Sequence, residues 1–470
     1  MAERATARQP ADFARKALVP FALAQFICSF AGSSMNVMIN DISKDLGTTV
    51  QGVQVAITLF LLIMAALMIP AGKLTDRYGR QRCLTVGLVV YGVGALLSAV
   101  APGLGVLIIG NSVLEGIGTA LLIPPVYILT TLLFTEFSAR AKAFGAISAL
   151  GGIGAAAGPL IGGFITSAIS WRAVFLMQVA IIALIAVLSR RWVRDPLPPD
   201  PTRPFDAGGA VQSAVGLVLV VTAILAADDN LWLMLGLLVA GAAVLAWFFV
   251  SVRAKERAGR EALLSTALFR SRVSNLGLIT QNTQWLMLMG TSFVVSAYLQ
   301  VVQGFNAIQT GVIFTATTVG LLLSSLGAER FAKRRAPRTL ILAGFLITIA
   351  GIAVLLFLVP GTTTEWAYAP GLFLIGFGLG GMLTPSVNVV QSSFGEHLQG
   401  EISGLSRSVS NLGSSLGAAL AGTILVAGIT STPERSYALA MVTVAAAGVI
   451  GLAAAVFLPR RGIQAEPAAH

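Results

Sequence analysis

The sequence predicts an all-α integral membrane protein in which fourteen spanning helices form two pseudo-symmetric six-helix halves with two further helices inserted between them. Three observations predict it. Of 470 residues, 56% are hydrophobic and 11% charged, with mean hydropathy +0.84. Apolar stretches of about 20 residues, enough to cross a hydrocarbon core of roughly 30 Å, recur along the chain. Backbone polar groups in lipid must be satisfied internally, so the spans are helices. The third observation is internal repetition.

The candidate spans are, in order, 17–39, 51–71, 83–101, 104–133, 140–166, 171–189, 208–227, 231–252, 273–301, 307–327, 339–359, 367–393, 402–428 and 435–458. An even number places both termini on one side. Positive residues are retained on the cytoplasmic face. With the N-terminus there, all 31 Lys and Arg fall on that side except Lys44, Arg172, Arg435 and Arg407, the last near the start of span 13. Topology thus explains the net charge of +11 without a nucleic-acid partner. The N-terminal ERATARQPADFARK and its apolar successor resemble a secretory leader. No small-residue cleavage site precedes a soluble domain, so span 1 is read as retained. Cys28 and Cys83 offer neither a disulfide framework nor a thiolate metal site.

Repetition shows in two places. GKLTDRYGRQR (72–82) after span 2 and SLGAERFAKRR (325–335) after span 10 share acid-Arg-aromatic-small-basic-x-Arg when Asp76 is set on Glu329. GIGAAAGPLIGG (152–163) in span 5 resembles NLGSSLGAALAG (411–422) in span 13. Repeated halves are the common construction of secondary transporters, with the binding site between them. The predicted units are a cytoplasmic tail (1–16), a six-helix half (17–190), a linker with two inserted helices (191–272), a second half (273–459) and a second tail (460–470). The linker begins with RDPLPPDPTRPFD (194–206) and ends in RAKERAGREALLSTALFRSR (253–272), a basic stretch with amphipathic turns.

At these motifs the chain resembles the major facilitator superfamily, specifically its fourteen-helix drug/proton antiporter branch. GKLTDRYGRQR matches G-x-L-a-D-R-x-G-R-[RK] through Gly72, Leu74, Asp76, Arg77, Gly79 and Arg80. GIGAAAGPLIGG carries the exporter-associated G-x-x-x-G-P-x-x-G-G as Gly154, Gly158, Pro159, Gly162 and Gly163. SWRAVFLMQV, PFDAGG and YLQVVQGFNAIQTG also have the branch's character. The resemblance implies a major facilitator fold, a plasma-membrane location and function as a monomer. It also implies that Gly72, Asp76, Arg77, Gly79 and Arg80 form a latch between the halves when the cavity faces outward. A carboxylate paired with arginine at a helix end contributes about 1 kcal/mol, enough to bias two states and little enough to open. The plainer alternative is a positive-inside cluster with a tight turn. The span 5 glycines let helices approach closely, and Pro159 favours a bend. They are expected to pack against protein. GFGLGG (376–381) lies within a span with no preceding strand, so it is not a nucleotide site.

Among 20 acids, Glu115 alone lies mid-span. A membrane-embedded acid normally faces a polar cavity or is protonated, and it marks an ion or substrate path. Desolvation favours its neutral form, so Glu115 is the candidate proton-coupling residue; the alternative is a protonated side chain that only bonds a neighbouring helix. Asn111 lies one turn away on the same face. Asn36 and Asn40 (span 1), Gln281, Gln284 and Trp285 (span 9) and Asn388 and Gln391 (span 12) complete the candidate substrate cavity with Asn111 and Glu115, or else serve as interhelical polar glue. The resemblance makes spans 1, 4, 9 and 12 line the path. The chain departs from the branch twice: Ser112-Val113-Leu114-Glu115-Gly116 stands where Arg-x-x-Gln-Gly is usual, and Ala31 or Gly32 where span 1 usually carries an aspartate.

The expected activity is export of lipophilic or cationic small molecules by alternating access, coupled to protons and using no other cofactor. Each charge moved gains roughly 2.3 kcal/mol per 100 mV. Alternatives are a transporter of lipids or amphiphilic metabolites with weak or no proton coupling, which the two missing charges favour, and a non-transporting sensor or scaffold. The expected partners are membrane lipid and a small lipophilic substrate. No phosphate loop supports ATP-driven transport. His397 and His470 lie outside the spans and no metal or Ser/His/Asp cluster is visible, so an enzyme is not expected.

Overall fold

Each long apolar stretch closes its hydrogen bonds internally, and among the described residues the computed structural model contains fourteen helices long and apolar enough to span a bilayer. They are α1 (Arg15–Asp45), α2 (Val50–Tyr78), α3 (Arg80–Ala99), α4 (Leu104–Leu133), α5 (Lys142–Ala168), α6 (Trp171–Trp192), α7 (Ala207–Leu225), α8 (Leu231–Arg257), α9 (Arg272–Val302), α10 (Ala307–Gly327), α11 (Pro337–Leu358), α12 (Glu365–Gln391), α13 (Glu401–Gly428) and α14 (Pro433–Val456). The structure describes residues 11–134, 136–196, 199–202, 204–227, 230–332, 336–359, 364–394 and 398–459. The side chains of Glu329 to Arg335, the second copy of the loop repeat, lie outside that description, as do His397 and His470.

Helix ends are set locally. Thr49 accepts the Gly52 amide at 3.1 Å, and Asn230 accepts the amides of Trp232 and Leu233 at 3.0 and 3.1 Å, the side-chain capping expected at an N-terminus. Gly79 breaks the chain between α2 and α3 with φ 95°, a conformation disfavoured for residues with a side chain. α1 runs past its expected end at residue 39 through a tight turn at Met35–Met38 and on to Asp45.

The packing repeats across the chain. α1 lies on α5 and α6, α4 on α2 and α3, and α3 on α6; likewise α9 lies on α13 and α14, α12 on α10 and α11, and α11 on α14. The two sets meet along α2/α13 and α5/α10, with α1 touching the end of α9. α7 and α8 pair with each other, and α7 rides outside the α2/α13 seam, where Leu62, Val221 and Ala419 form a small apolar cluster. α8 leaves Trp232, Val239, Trp247 and Val250 exposed, a surface suited to lipid.

Asp206 anchors the inserted pair. Its carboxylate accepts the Gly209 amide at 2.7 Å, Lys255 Nζ at 2.5 Å and the Leu263 amide at 3.2 Å. The expected amphipathic turns follow: Leu263, Leu264 and Leu268 bury against Leu278, Ile402 and Leu405, fastening the linker to α9 and α13.

Candidate transport site

The small-residue stripes explain where the two sets can touch. On α5, a β-carbon at Gly154 or Gly158 would overlap α1 at Phe26 or Ser33, and one at Gly163 would overlap the Ala307 carbonyl of α10. On α13, Gly413 and Gly417 press against the α9 backbone at Asn282 and Leu286, while Gly422 faces Gln54 of α2. Thus the glycines of the two similar motifs occupy matching positions: two hold the neighbouring helix of the same set and one meets the opposite set. Gly162 packs on Ser34, and the Pro159 carbonyl faces Gly311 of α10.

Fourteen successive spans bring the start of α1 and the end of α14 to one face of the bundle, called the tail face. Toward the opposite face the contacts between sets are neutral. Ile308 N donates to Ser167 Oγ at 3.1 Å and Thr318 Oγ1 to the Ala156 carbonyl at 2.9 Å. Gln300 joins α9 to α1, donating to the Asn36 carbonyl at 2.8 Å and accepting the Asn40 amide at 3.1 Å. Beneath this seal lies a cavity of about 50 Å³ between α1, α5, α9 and α10, bordered by Ser33, Asn36, Pro159, Ser292, Phe314 and Thr318. That is room for water, which needs roughly 10–15 Å³ of such space. The Asn36 Oδ1 is buried there without a hydrogen-bond partner.

The other expected cavity residues are dispersed. Gln281 accepts Ser406 Oγ of α13 at 2.9 Å and Gln284 accepts Ser386 Oγ of α12 at 3.1 Å, so both fasten α9 to its own set, each with its amide nitrogen unbonded. Trp285 is half-buried and Asn388 exposed. Gln391 is half-buried at the tail-face end of α12 and has bonded neighbours.

Glu115 is fully buried, but it points into α3 and borders no part of the interface cavity. Ser98 Oγ donates to one carboxyl oxygen at 3.2 Å and Asn111 Nδ2 to the other at 3.4 Å. Tyr91 stands beside it with its hydroxyl donating to Gln178 of α6. Two local features produce this orientation. Residues Ile108–Glu115 form a π-helical segment, a wide turn that shifts side-chain facing and recurs at functional sites. Gly94 and Gly110 also bring the α3 and α4 backbones together. Asn111 follows Glu115, whereas Ser112, standing where the branch has arginine, donates to the Ala56 carbonyl of α2 at 2.7 Å.

On the tail face, Asp76 pairs with Arg80 at 2.9 Å, and Asp195 accepts the Arg80 amide at 2.7 Å. Arg77 lies over the Tyr78 ring. Gly72 faces Pro124 of α4 and Gly79 faces Pro199. These expected latch residues gather among α2, α3 and the beginning of the linker. Among the described residues an ion pair that crosses to the other set is made by Lys73, in the variable position of the motif: its Nζ meets Glu401 of α13 at 2.9 Å, and also Glu261 of the linker at 3.2 Å.

Sequence reasoning also missed Arg407. It lies near the start of α13 as expected, but its partner was not foreseen: the guanidinium reaches across to donate to the Tyr127 hydroxyl of α4. Tyr127 in turn donates to Gln25 of α1 at 3.4 Å and stacks on Phe144 of α5, ring centroids 5.6 Å apart. The signal was available, since an arginine two turns into a span amid Ser and Gly has room to turn its charge inward.

Comparison with known proteins agrees with this architecture. The Major Facilitator Superfamily profile matches residues 21–418. Puromycin resistance protein pur8 of Streptomyces alboniger is 32% identical over 87% of this chain and 81% of its own. Multidrug efflux pump LfrA of Mycolicibacterium smegmatis is 31% identical over 85% and 79%. A crystal structure of the peptide transporter POT in complex with sulfate superposes with TM-score 0.68 at 18% identity, covering 93% of this chain and 94% of that one, a likeness of fold. The chain is a multi-pass membrane transport protein, not an enzyme, and belongs to the Major Facilitator Superfamily.

Proposed function

We propose that the protein is a proton-coupled exporter of lipophilic small molecules that works as a monomer by alternating access, in a plasma membrane with both tails in the cytoplasm. The observation that carries this reading is the seam opposite the tail face. Glycine-to-backbone contacts at α5/α10 and neutral hydrogen bonds close it, without an ion pair among the described residues. Such a seal loses little when it parts, and the charged Lys73 contacts on the tail face oppose it. The names of the relatives, a puromycin resistance protein and a multidrug efflux pump, support export of foreign small molecules.

Glu115 is the candidate proton carrier in this scheme. In the conformation described, a wall of α4 separates it from the interface, so rocking must loosen its Ser98 and Asn111 contacts before water reaches it. The test is purified protein in vesicles with an imposed pH gradient, following uphill movement of the xanthene dyes rhodamine 123 and eosin Y. Wild type should concentrate dye, and Glu115→Gln should lose gradient-driven movement at least tenfold while still binding dye. Full gradient-driven movement in Glu115→Gln removes this residue from coupling.

The position of Glu115 away from the cavity favours a second reading, a lipid or amphiphile transporter with weak or no proton coupling. That reading predicts lipid exchange between vesicles that is independent of the gradient.

A further inference from the structure

The Arg407 guanidinium is a permanent positive charge within a membrane span. Among the described residues it forms no ion pair: its partners are the Tyr127 hydroxyl and the face of that ring, 5.1 Å from the guanidinium carbon to the centroid. A guanidinium has five donors in a planar fork matched to carboxylate geometry, and among the described residues only one of them has a hydrogen-bond partner here. Arg407, Tyr127 and Phe144 are half-buried rather than sealed. They project from α13, α4 and α5, so they stand between the two helical sets on the tail-face side, where no glycine seam closes the structure.

A cation inside a span is costly unless it faces a polar path, meets an opposite charge or reaches the interface, and the Arg407 guanidinium is turned inward to Tyr127. The guanidinium bonds the Tyr127 hydroxyl and lies over that ring, whose stacking partner is Phe144. The neutral contacts position the charge and leave it uncancelled. Gln25 completes the wall by accepting the Tyr127 proton, leaving its own amide nitrogen to donate to Ser29 at 3.2 Å.

We propose that Arg407, Tyr127 and Phe144 form a substrate subsite for aromatic anions: a planar ring system stacks against the aromatic pair while its carboxylate or phenolate takes the free donors of Arg407. This rests on the transporter reading above and specifies its substrate class as aromatic amphiphiles bearing negative charge. Binding of the anion would draw Arg407 from Tyr127 and so loosen a contact between the sets.

The experiment measures equilibrium binding to the full-length protein in detergent without any gradient, so its outcome is independent of proton coupling. The probes are eosin Y and rhodamine 123, which share a xanthene core and carry opposite charge, read by fluorescence anisotropy. Wild type should bind eosin Y more tightly. Arg407→Gln should weaken eosin Y at least tenfold while leaving rhodamine 123 within about twofold, and Arg407→Lys should recover most of the eosin Y affinity. Unchanged eosin Y binding in Arg407→Gln, or a parallel loss of both dyes that Arg407→Lys fails to reverse, would overturn the proposal. Should Arg407→Gln not fold, the wild-type preference decides, and tighter binding of rhodamine 123 than of eosin Y counts against it.

Discussion

Glu115 and Arg407, an acid and a base, are set within the spans in opposite ways. The carboxyl is enclosed by neutral donors in one helical set; the guanidinium stands between sets with donors unspent. Removing the Glu115 side chain leaves Asn111 Nδ2 facing a void, while Ser98 keeps its bond to the Gly94 carbonyl at 2.9 Å, and an orphaned buried polar group costs about 1–3 kcal/mol. Glu115→Ala should therefore lower the melting temperature in detergent clearly, and Glu115→Gln, which keeps the shape and an acceptor oxygen, by much less. Equal melting of both variants with wild type would show that the contacts carry no stability. That an acid sits mid-span is legible in the sequence, because every other acid falls near a loop or helix end. Which neighbour it faces is not, because the π-helical turn at Ile108–Glu115 and the Gly94/Gly110 approach arise from packing.

At the scale of elements, Asp206 joins the α7 terminus, α8 and the linker. Burial alone would raise its carboxyl, but Lys255 and the Gly209 and Leu263 amides outweigh that and hold it below the usual carboxylate range. A carboxyl held low in the folded state stabilises the fold above its unfolded value, near about 3.9. That contribution disappears as pH falls through the folded value. Wild-type thermal stability should thus drop as pH is lowered below about 4. Asp206→Asn should be less stable at neutral pH and show a shallower fall; identical pH profiles would contradict this role. The α5/α10 seam makes a second prediction. Gly311→Leu would drive a side chain into the Pro159 carbonyl, so the seal should part. A cysteine placed at Ser292 in the cavity should then react severalfold faster with a membrane-impermeant maleimide added from the face opposite the tails; an unchanged rate would mean the seam does not gate access. Most span ends were legible to within about three residues because hydropathy dictates them, whereas α1, α2 and α8 continue as far as Asp45, Tyr78 and Arg257 beyond the apolar stretch. The Lys73 bridge was not, because its partners Glu401 and Glu261 are far apart in the chain and meet only through folding.

For the whole molecule, the matched glycines of α5 and α13 give two seams related by pseudo-symmetry but closed differently. Along α2/α13, Gln54 Nε2 donates to the Ala418 and Ala419 carbonyls at 3.1 and 3.2 Å, and Ser408 and Ser415 donate to α2 carbonyls. That seam is bonded over its length and suits a pivot, whereas α5/α10 closes mainly opposite the tail face. The similarity of 152–163 to 411–422 made the repetition visible in sequence; the difference in bonding depends on the opposing helices and becomes visible only once they are packed. Transport by rocking about the α2/α13 pivot therefore requires α5 and α10 to separate. The most direct measurement bridges them: in a Cys28→Ser/Cys83→Ser background, Ser167→Cys and Ile308→Cys are joined by a short methanethiosulfonate cross-linker in reconstituted vesicles, and dye flux is followed before and after reduction. Flux should stop when the bridge is in place and return to the level of the unbridged double variant on reduction. Undiminished flux across a complete bridge would contradict alternating access at this seam.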